Sequence, residues 1–415
     1  MNRISTNTPN DNMQFHLRER NRSLQNLQNQ IATQSRIQNL RDDPMAAAHS
    51  TRYQSFTARL QRYGDNMETV MARNQIAEGY LQHGTDMIQR ARELAVQGAN
   101  GIYTREDMQH MATEIDEIIK EMVEVANARS SDGTSIFSGD RTRSVPFHPL
   151  QGSVAAGEDA RITEVLYRGT IGQQSAEVGE NSFVETNFPG NQVFWAENQQ
   201  VSSRVDARDY LVEEHGAFSI NGVEIPLREG DTVHSIIARI NDSGAPVRAR
   251  LDPVFSGLVL ETTTPQQLWL EEGPNSQVLQ DLGLISGSDV PPPGNIAPDA
   301  MVSGGSVFDA LIRLRDMLQA GDQDAIGSQG INGMDRALDA LTGSLGRIGA
   351  VNARLEGSWT RNENEILYVK NQNSRKTDVD LAEAVMELRK LEATHRAALS
   401  VSARIMQPTL LDFIR

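Results

Sequence analysis

Residues 53–95 read YQSFTARLQRYGDNMETVMARNQIAEGYLQHGTDMIQRARELA. Tyr53, Phe56, Leu60, Tyr63, Met67, Val70, Asn74, Ala77, Leu81, Gly84, Ile88, Ala91 and Ala95 alternate spacings of three and four without a slip. That rhythm places one apolar line along a helix, and a line held this long is a coiled-coil pattern. At ~1.5 Å per residue the helix would be on the order of 70 Å long. Asn100-Gly101 ends it, and Thr104 with Asp107 forms a capping-box pattern for a second helix. There Met108, Met111, Ile115, Ile118, Met122 and Val125 repeat the spacing.

The C-terminal third mirrors this. Ser306 and Asp309 mark a helix start before Val307, Leu311, Leu314 and Leu318. A longer seam follows: Ile331, Met334, Leu338, Leu341, Leu345, Ile348, Asn352, Leu355, Trp359, Asn362, Ile366 and Val369. Asn74, Asn352 and Asn362 sit on seams, where a buried amide fixes register or a solvated one marks an outward turn. A polar break over 371–380 precedes a last helix with the seam Leu381, Ala384, Leu388, Leu391, His395, Ala398, Ser402 and Ile405, stopped by Pro408. Near the N-terminus Leu17, Leu24 and Ile31 are seven apart, with Met13 and Leu27 on the same face. Nine of the residues 21–40 are Asn or Gln, so this helix needs a partner, either the last helix of its own chain or a neighbouring subunit.

Proline separates the middle from these flanks: 12 of 15 prolines lie between Pro146 and Pro298. Asn221-Gly222 between Ala217–Ile220 and Val223–Leu227 predicts a hairpin, since both turn residues need positive φ. A short helix is expected over 232–240, a second strand pair over 247–251 and 258–262, irregular strands over 160–200, and a linker over 286–305. The expected class is mainly α, a long antiparallel coiled-coil bundle from both chain ends, with an inserted β-rich α+β domain. The expected division is 1–44, 45–147, 148–305 (with a hairpin module at 216–286), 306–370 and 371–415.

The chain has 415 residues and a net charge of −16. Residues 151–305 hold 22 Asp/Glu, 8 Arg and no Lys, or −14; the flanks are near neutral. Such an acidic middle argues for a solvated face and against nucleic acid. Aromatic content is 5% and cysteine is absent, so disulfides and Cys-ligated metals are excluded. The start Met1-Asn2-Arg3-Ile4 has no signal-peptide pattern, and no apolar run reaches the ~20 residues of a bilayer span. The eight histidines are scattered, and H-E-x-x-H, G-x-S-x-G, Walker A and G-x-G-x-x-G are all missing. No catalysis and no cofactor are expected. Gly343, Gly346 and Gly349 are spaced by three inside a helix, a pattern for close helix approach rather than phosphate binding.

Residues 76–100, IAEGYLQHGTDMIQRARELAVQGAN, closely resemble the N-terminal helix of the bacterial flagellin family. Within that family, Arg3-Ile4-Ser5-Thr6, Asp42-Asp43-Pro44 and Ser135-Ile136-Phe137-Ser138-Gly139 resemble the hook-associated protein 3 branch, the hook–filament junction proteins. Flagellins usually carry Asp-Asp-Ala and Leu-Asp-Gly there. Leu410-Leu411-Asp412-Phe413 also fits, and 216–286 looks like a hairpin module of flagellins and hook proteins. The resemblance implies type III export with a chaperone to the flagellum, extracellular or periplasmic. It implies a helical homopolymer whose terminal helices line the core, bounded by an adjacent hook-associated protein and by flagellin, without membrane contact. The interface residues it points to are Leu17, Leu24, Leu27, Ile31, Leu381, Leu388, Leu391, Ala398 and Ile405, with Asp42, Asp43, Pro44, Ile136, Phe137 and Gly139 as family motif. The family commonly has Gly where this chain has Gln34, so the helix break there is expected to be lost. A flagellin, or in another class a secreted coiled-coil adhesin or translocator, is the alternative.

Overall fold

The computed structural model describes residues 8–39, 41–130, 132–152, 160–274, 276–287 and 289–405. These fall into two compact units, one from Met1–Asp65 with Trp359–Arg415, the other Asn66–Ser358. The fold is mainly helical with a strand-rich middle. Its helices are α1 (Thr8–Thr33), α2 (Pro44–Ala99), α3 (Arg105–Ala126), α4 (Gly190–Val193), α5 (Val233–Asp242), α6 (Val278–Asp281), α7 (Val307–Ala320), α8 (Gln323–Ala325), α9 (Ile331–Thr377) and α10 (Leu381–Ile405). A π turn, Ile326–Gly330, leads into α9.

Within Asn66–Ser358 the predicted seams are the core. Every seam residue of α2 from Met67 to Ala95 is buried, as are all six of α3 and Val307, Leu311, Leu314 and Leu318 of α7. The expected capping box of Thr104 with Asp107 opens α3, and the expected helix start at Ser306 and Asp309 is a capping box as well, opening α7. Asn74 Nδ2 donates to Asn352 Oδ1 at 2.8 Å, which joins the two seam amides between α2 and α9, while Asn74 Oδ1 stays buried with no partner among the described residues. Arg315 of α7, 1% exposed, meets Asp116 of α3 at 3.1 Å and Asp316 at 2.8 Å, and donates to the Ile162 carbonyl. A buried guanidinium persists only when its donors are paired.

Antiparallel strands make four small sheets. β1 (Phe147–Gly152) pairs β2 (Arg161–Tyr167), and β3 (Ser175–Gly179) pairs β4 (Ser182–Glu185). β6 (Gly216–Ile220) pairs β7 (Val223–Leu227) through the Asn221-Gly222 turn, where φ is 50° and 80°. β10 (Leu270–Glu272) lies on the other side of β6. β8 (Val247–Leu251) pairs β9 (Leu258–Thr262), flanked by β5 (Gln200–Ser202) and then β11 (Met301–Ser303). The predicted linker over 286–305 therefore contains a strand. Phe147, Tyr167, Phe194 and Phe308 join the strands to the helical core, with Phe147 within 5.2 Å of each of the other three.

In the terminal unit α1 and α10 run antiparallel. Arg36 N donates to Thr377 O at 2.7 Å and Val379 N to Gln34 O at 3.1 Å; Arg20 reaches Thr394 O at 3.1 Å. Leu24 and Ala384 are buried in this pair. Asn362 is buried too, its Nδ2 donating to Leu60 O at 2.8 Å. Two expectations need correction. The helix break at Gln34 is kept: α1 ends at Thr33 and Gln34 adopts φ 56°, held by the backbone bond to Val379. The break before α10 is confined to 378–380, because α9 continues through Thr377. Trp359 keeps the seam spacing yet is 40% exposed.

Candidate assembly interface

The terminal helices carry two apolar faces. One face of each is used inside the chain: Leu17, Leu27 and Ile31 are half-buried and Leu24 buried on α1, while Leu388, Leu391 and Ala398 are half-buried on α10. Ile405 ends α10, and its side chain lies outside the described residues. Leu381 does not join them: it is 46% exposed. A cavity of about 650 Å³ lies between the two helices, lined by Met13, Leu17, Ala398 and Val401 among others.

The second face was missed by seam-reading. Phe15 is 62% exposed on α1, and Val385 and Leu399 are exposed beside Leu381 on α10; Met386 and Val401 are exposed too, but off that line. Leu381, Val385 and Leu399 lie near one line of the helix, at offsets of 4 and 18, so the signal was a second period beside the first. Glu392 and Arg396, paired at 4.0 Å, lie on the same side between Val385 and Leu399, so this face is apolar at its ends and charged between them.

The motif residues support the frame rather than the exposed face. Asp42 Oδ2 accepts from the Asn39 and Gln38 amides at 2.8 and 3.1 Å. Asp43 Oδ1 accepts from the Ala46 amide at 2.9 Å, capping α2, and its Oδ2 meets Arg36 at 3.1 Å. Pro44 follows as the first helical residue, where no amide donor is needed. These bonds hold both carboxyls below the usual range: for Asp42 the Asn39 amide is the main cause, for Asp43 the Ala46 amide and then Arg36. Ile136 and Phe137 are fully buried, and Phe137 lies edge-on to Phe194 at 5.1 Å. Phe137 O accepts from Gly190 N at 2.9 Å. Gly139 has φ 71°, and a Cβ there would collide with the Thr170 carbonyl.

No group of three or more His, Asp or Glu that could hold a metal occurs among the described residues. No described helix is long and apolar enough to cross a membrane.

Residues 4–142 match the bacterial flagellin N-terminal helical region, 331–414 the bacterial flagellin C-terminal helical region, and 216–264 the flagellin hook IN motif. The flagellar filament 33 kDa core protein of Treponema phagedenis is 30% identical over 41% of this chain and 61% of its own length. Flagellar hook-associated protein 3 of Salmonella typhimurium is 28% identical over 36% of this chain and 48% of that protein. The matches with the first curated relatives span about half to three fifths of their own length. Among solved structures, hook-associated protein 3 of Legionella pneumophila aligns with TM-score 0.47 and 15% identity, over 78% of this chain and 97% of the other. With both terminal helical regions at its two ends and the hook motif between them, the chain belongs to the bacterial flagellin family.

Proposed function

We propose that this chain is a structural subunit of the bacterial flagellum that polymerises at the junction between hook and filament. The observation that carries the reading is the set of large apolar side chains left uncovered on the paired terminal helices, Phe15 on α1 and Leu381, Val385 and Leu399 on α10. Two helices that already satisfy one another still leave large side chains in water, and a neighbouring subunit removes them. Leu17, Leu24, Leu27, Ile31, Leu388, Leu391 and Ala398 shape the pair, and Leu381 belongs to the outward face. In this assembly the terminal arms form the polymer core and the acidic middle lies outermost, where solvent screens like charges beyond ~8 Å. The chain leaves the cell through a flagellar export route with a chaperone, and it meets a hook-associated neighbour on one side and filament subunits on the other.

Asp42-Asp43-Pro44 and Ile136-Phe137-Ser138-Gly139 favour the junction over the filament. Deleting the gene should leave hooks without filaments and shed filament subunits into the medium. Normal filaments on the deletion strain would refute the junction role. The filament-subunit reading is favoured by the resemblance to the Treponema filament core protein. Growth of long filaments by the purified chain alone would establish it instead.

A further inference from the structure

Helix α9 has an outward face of unusual composition. Gly343, Gly346, Gly349, Ala350 and Ala353 are all exposed there. A Cβ added at any of the three glycines meets nothing within 4 Å. The solvent face of α3 is the contrast, with Glu117, Glu121 and Glu124 exposed along one line. Glycine inside a helix lowers its stability relative to alanine, and here no contact within the chain offsets that. A bare helix face instead suits the near approach of another helix.

Two further observations point to an occupant. Arg336, Arg347 and Arg354, exposed and spaced by 11 and 7, run along one edge of the bare face; Arg336 already meets Glu197 at 2.7 Å, which leaves Arg347 and Arg354 for a partner. A groove of about 600 Å³ opens beside it, bounded by Gly343 and Arg347 on α9 and by Trp195 and Pro265 opposite. Trp195 is 5% exposed, and its Nε1 finds no acceptor among the described residues. An indole N–H buried without a partner is uncommon and costs stability.

We infer that the face of α9 from Gly343 to Ala353 is a contact between copies of this chain, and that its occupant is the acidic outer face of α3 of a second copy. Glu117 and Glu124, seven apart like Arg347 and Arg354, match that pair in sign and spacing, with Glu121 between them; within the chain Glu117 meets Lys120 at 2.7 Å and Glu121 meets His83 at 2.8 Å, both on exposed side chains. Arg354 donates to the Phe183 carbonyl and Arg347 to Ser344 Oγ, which orients both guanidinium groups without an acid partner in those bonds. Opposite charge across such a contact selects orientation and suppresses wrong pairings. The inference rests on the self-assembly proposed above.

The test uses the full chain in its own host, in a strain lacking the chromosomal copy. Gly346→Leu should melt at or above the wild-type temperature, since leucine favours helix and meets open space. Its incorporation into isolated flagella should fall more than tenfold while secretion is unchanged. Incorporation within twofold of wild type overturns the inference. Wild-type chain absent from isolated flagella overturns the self-assembly reading and this inference with it. Should Gly346→Leu melt early, Arg347→Glu and Glu121→Arg carry the test: each alone loses incorporation, and the two together restore it. Failure of that restoration, with both variants folded, overturns the assignment to α3. The absence of cysteine allows a direct check: Gly346→Cys with Glu121→Cys should oxidise to cross-linked species in assembled material and not in dilute monomer. Assembled material without the cross-link overturns the assignment.

Discussion

Asn74 and Asn352, 278 positions apart, share a 2.8 Å hydrogen bond inside the seam between α2 and α9. A lone amide there would be an unsatisfied polar group, and two opposed amides are a register mark. Asn74→Ala should cost about 1–3 kcal/mol by stranding the Asn352 side chain. The double change Asn74→Leu with Asn352→Leu should recover stability. Its seam should then show mixed registers, read as heterogeneous cross-links between cysteines placed across α2 and α9. A double leucine variant with one register would show that the amides do not set it.

Among the described residues Arg315 is the most deeply buried charge, and it is held by Asp116 of α3 and a carbonyl of β2. Arg315→Met should destabilise the chain by on the order of 3 kcal/mol, because the Ile162 carbonyl loses its donor and Asp116 keeps only Lys120, at 3.2 Å. Asp316→Asn removes its exposed partner and should cost under ~1 kcal/mol. Urea denaturation of the two variants compares them.

Gly139 and Gly133 both sit at positive φ, 71° and 78°. An added Cβ meets nothing at Gly133 and the Thr170 backbone at Gly139. Gly133→Ala should cost about 1–2 kcal/mol of conformational strain, and Gly139→Ala clearly more. Melting curves that rank them in the opposite order would remove the steric account of the motif glycine.

Leu24 is buried in the terminal pair and Leu399 is 48% exposed on the same pair. Leu24→Asp should lower the melting temperature of the terminal unit, since it buries a charge without a partner. Leu399→Asp should leave melting unchanged and abolish incorporation into flagella. Normal incorporation of Leu399→Asp would show that the outward face is not used.

Asp43 is held below its ordinary 3.8 mainly by the Ala46 amide and by Arg36. A depressed acid adds stability above the unfolded value, and that contribution is lost as pH falls through the folded value. The start of α2 should therefore loosen below about pH 4. Asp43→Asn should flatten this acid limb while still capping the helix. Far-UV circular dichroism of both proteins against pH reads the difference.

Periodicity made the helices legible, because each buried seam follows from one local rule applied along the chain. It also gave the hairpin, where Asn221-Gly222 names its own turn. Gln34 escaped it: its left-handed backbone is held by Val379, far along the chain, and nothing nearby announces that. β11 escaped for a related reason. All three of its residues are exposed, so no alternation marks it, and its partner β5 lies about a hundred positions earlier. Trp359 shows the limit of seam-reading, since spacing names a face and the neighbour decides how much of it is covered. The outward face of α10 was hidden behind a stronger seam on the same helix.

The bond from Arg20 to the Thr394 carbonyl spans 374 positions. Timing follows from that span. However the chain is delivered, α1 waits for α10 before it has this partner. Loop-closure entropy rises only slowly with such a length, so the delay is one of arrival rather than of free energy. Until then the apolar side chains of α1 stay in water, open to any companion that reaches them first. A segment of this kind is a clock: it stays unpaired for as long as synthesis or passage of the chain up to α10 takes, and it closes only when α10 is present.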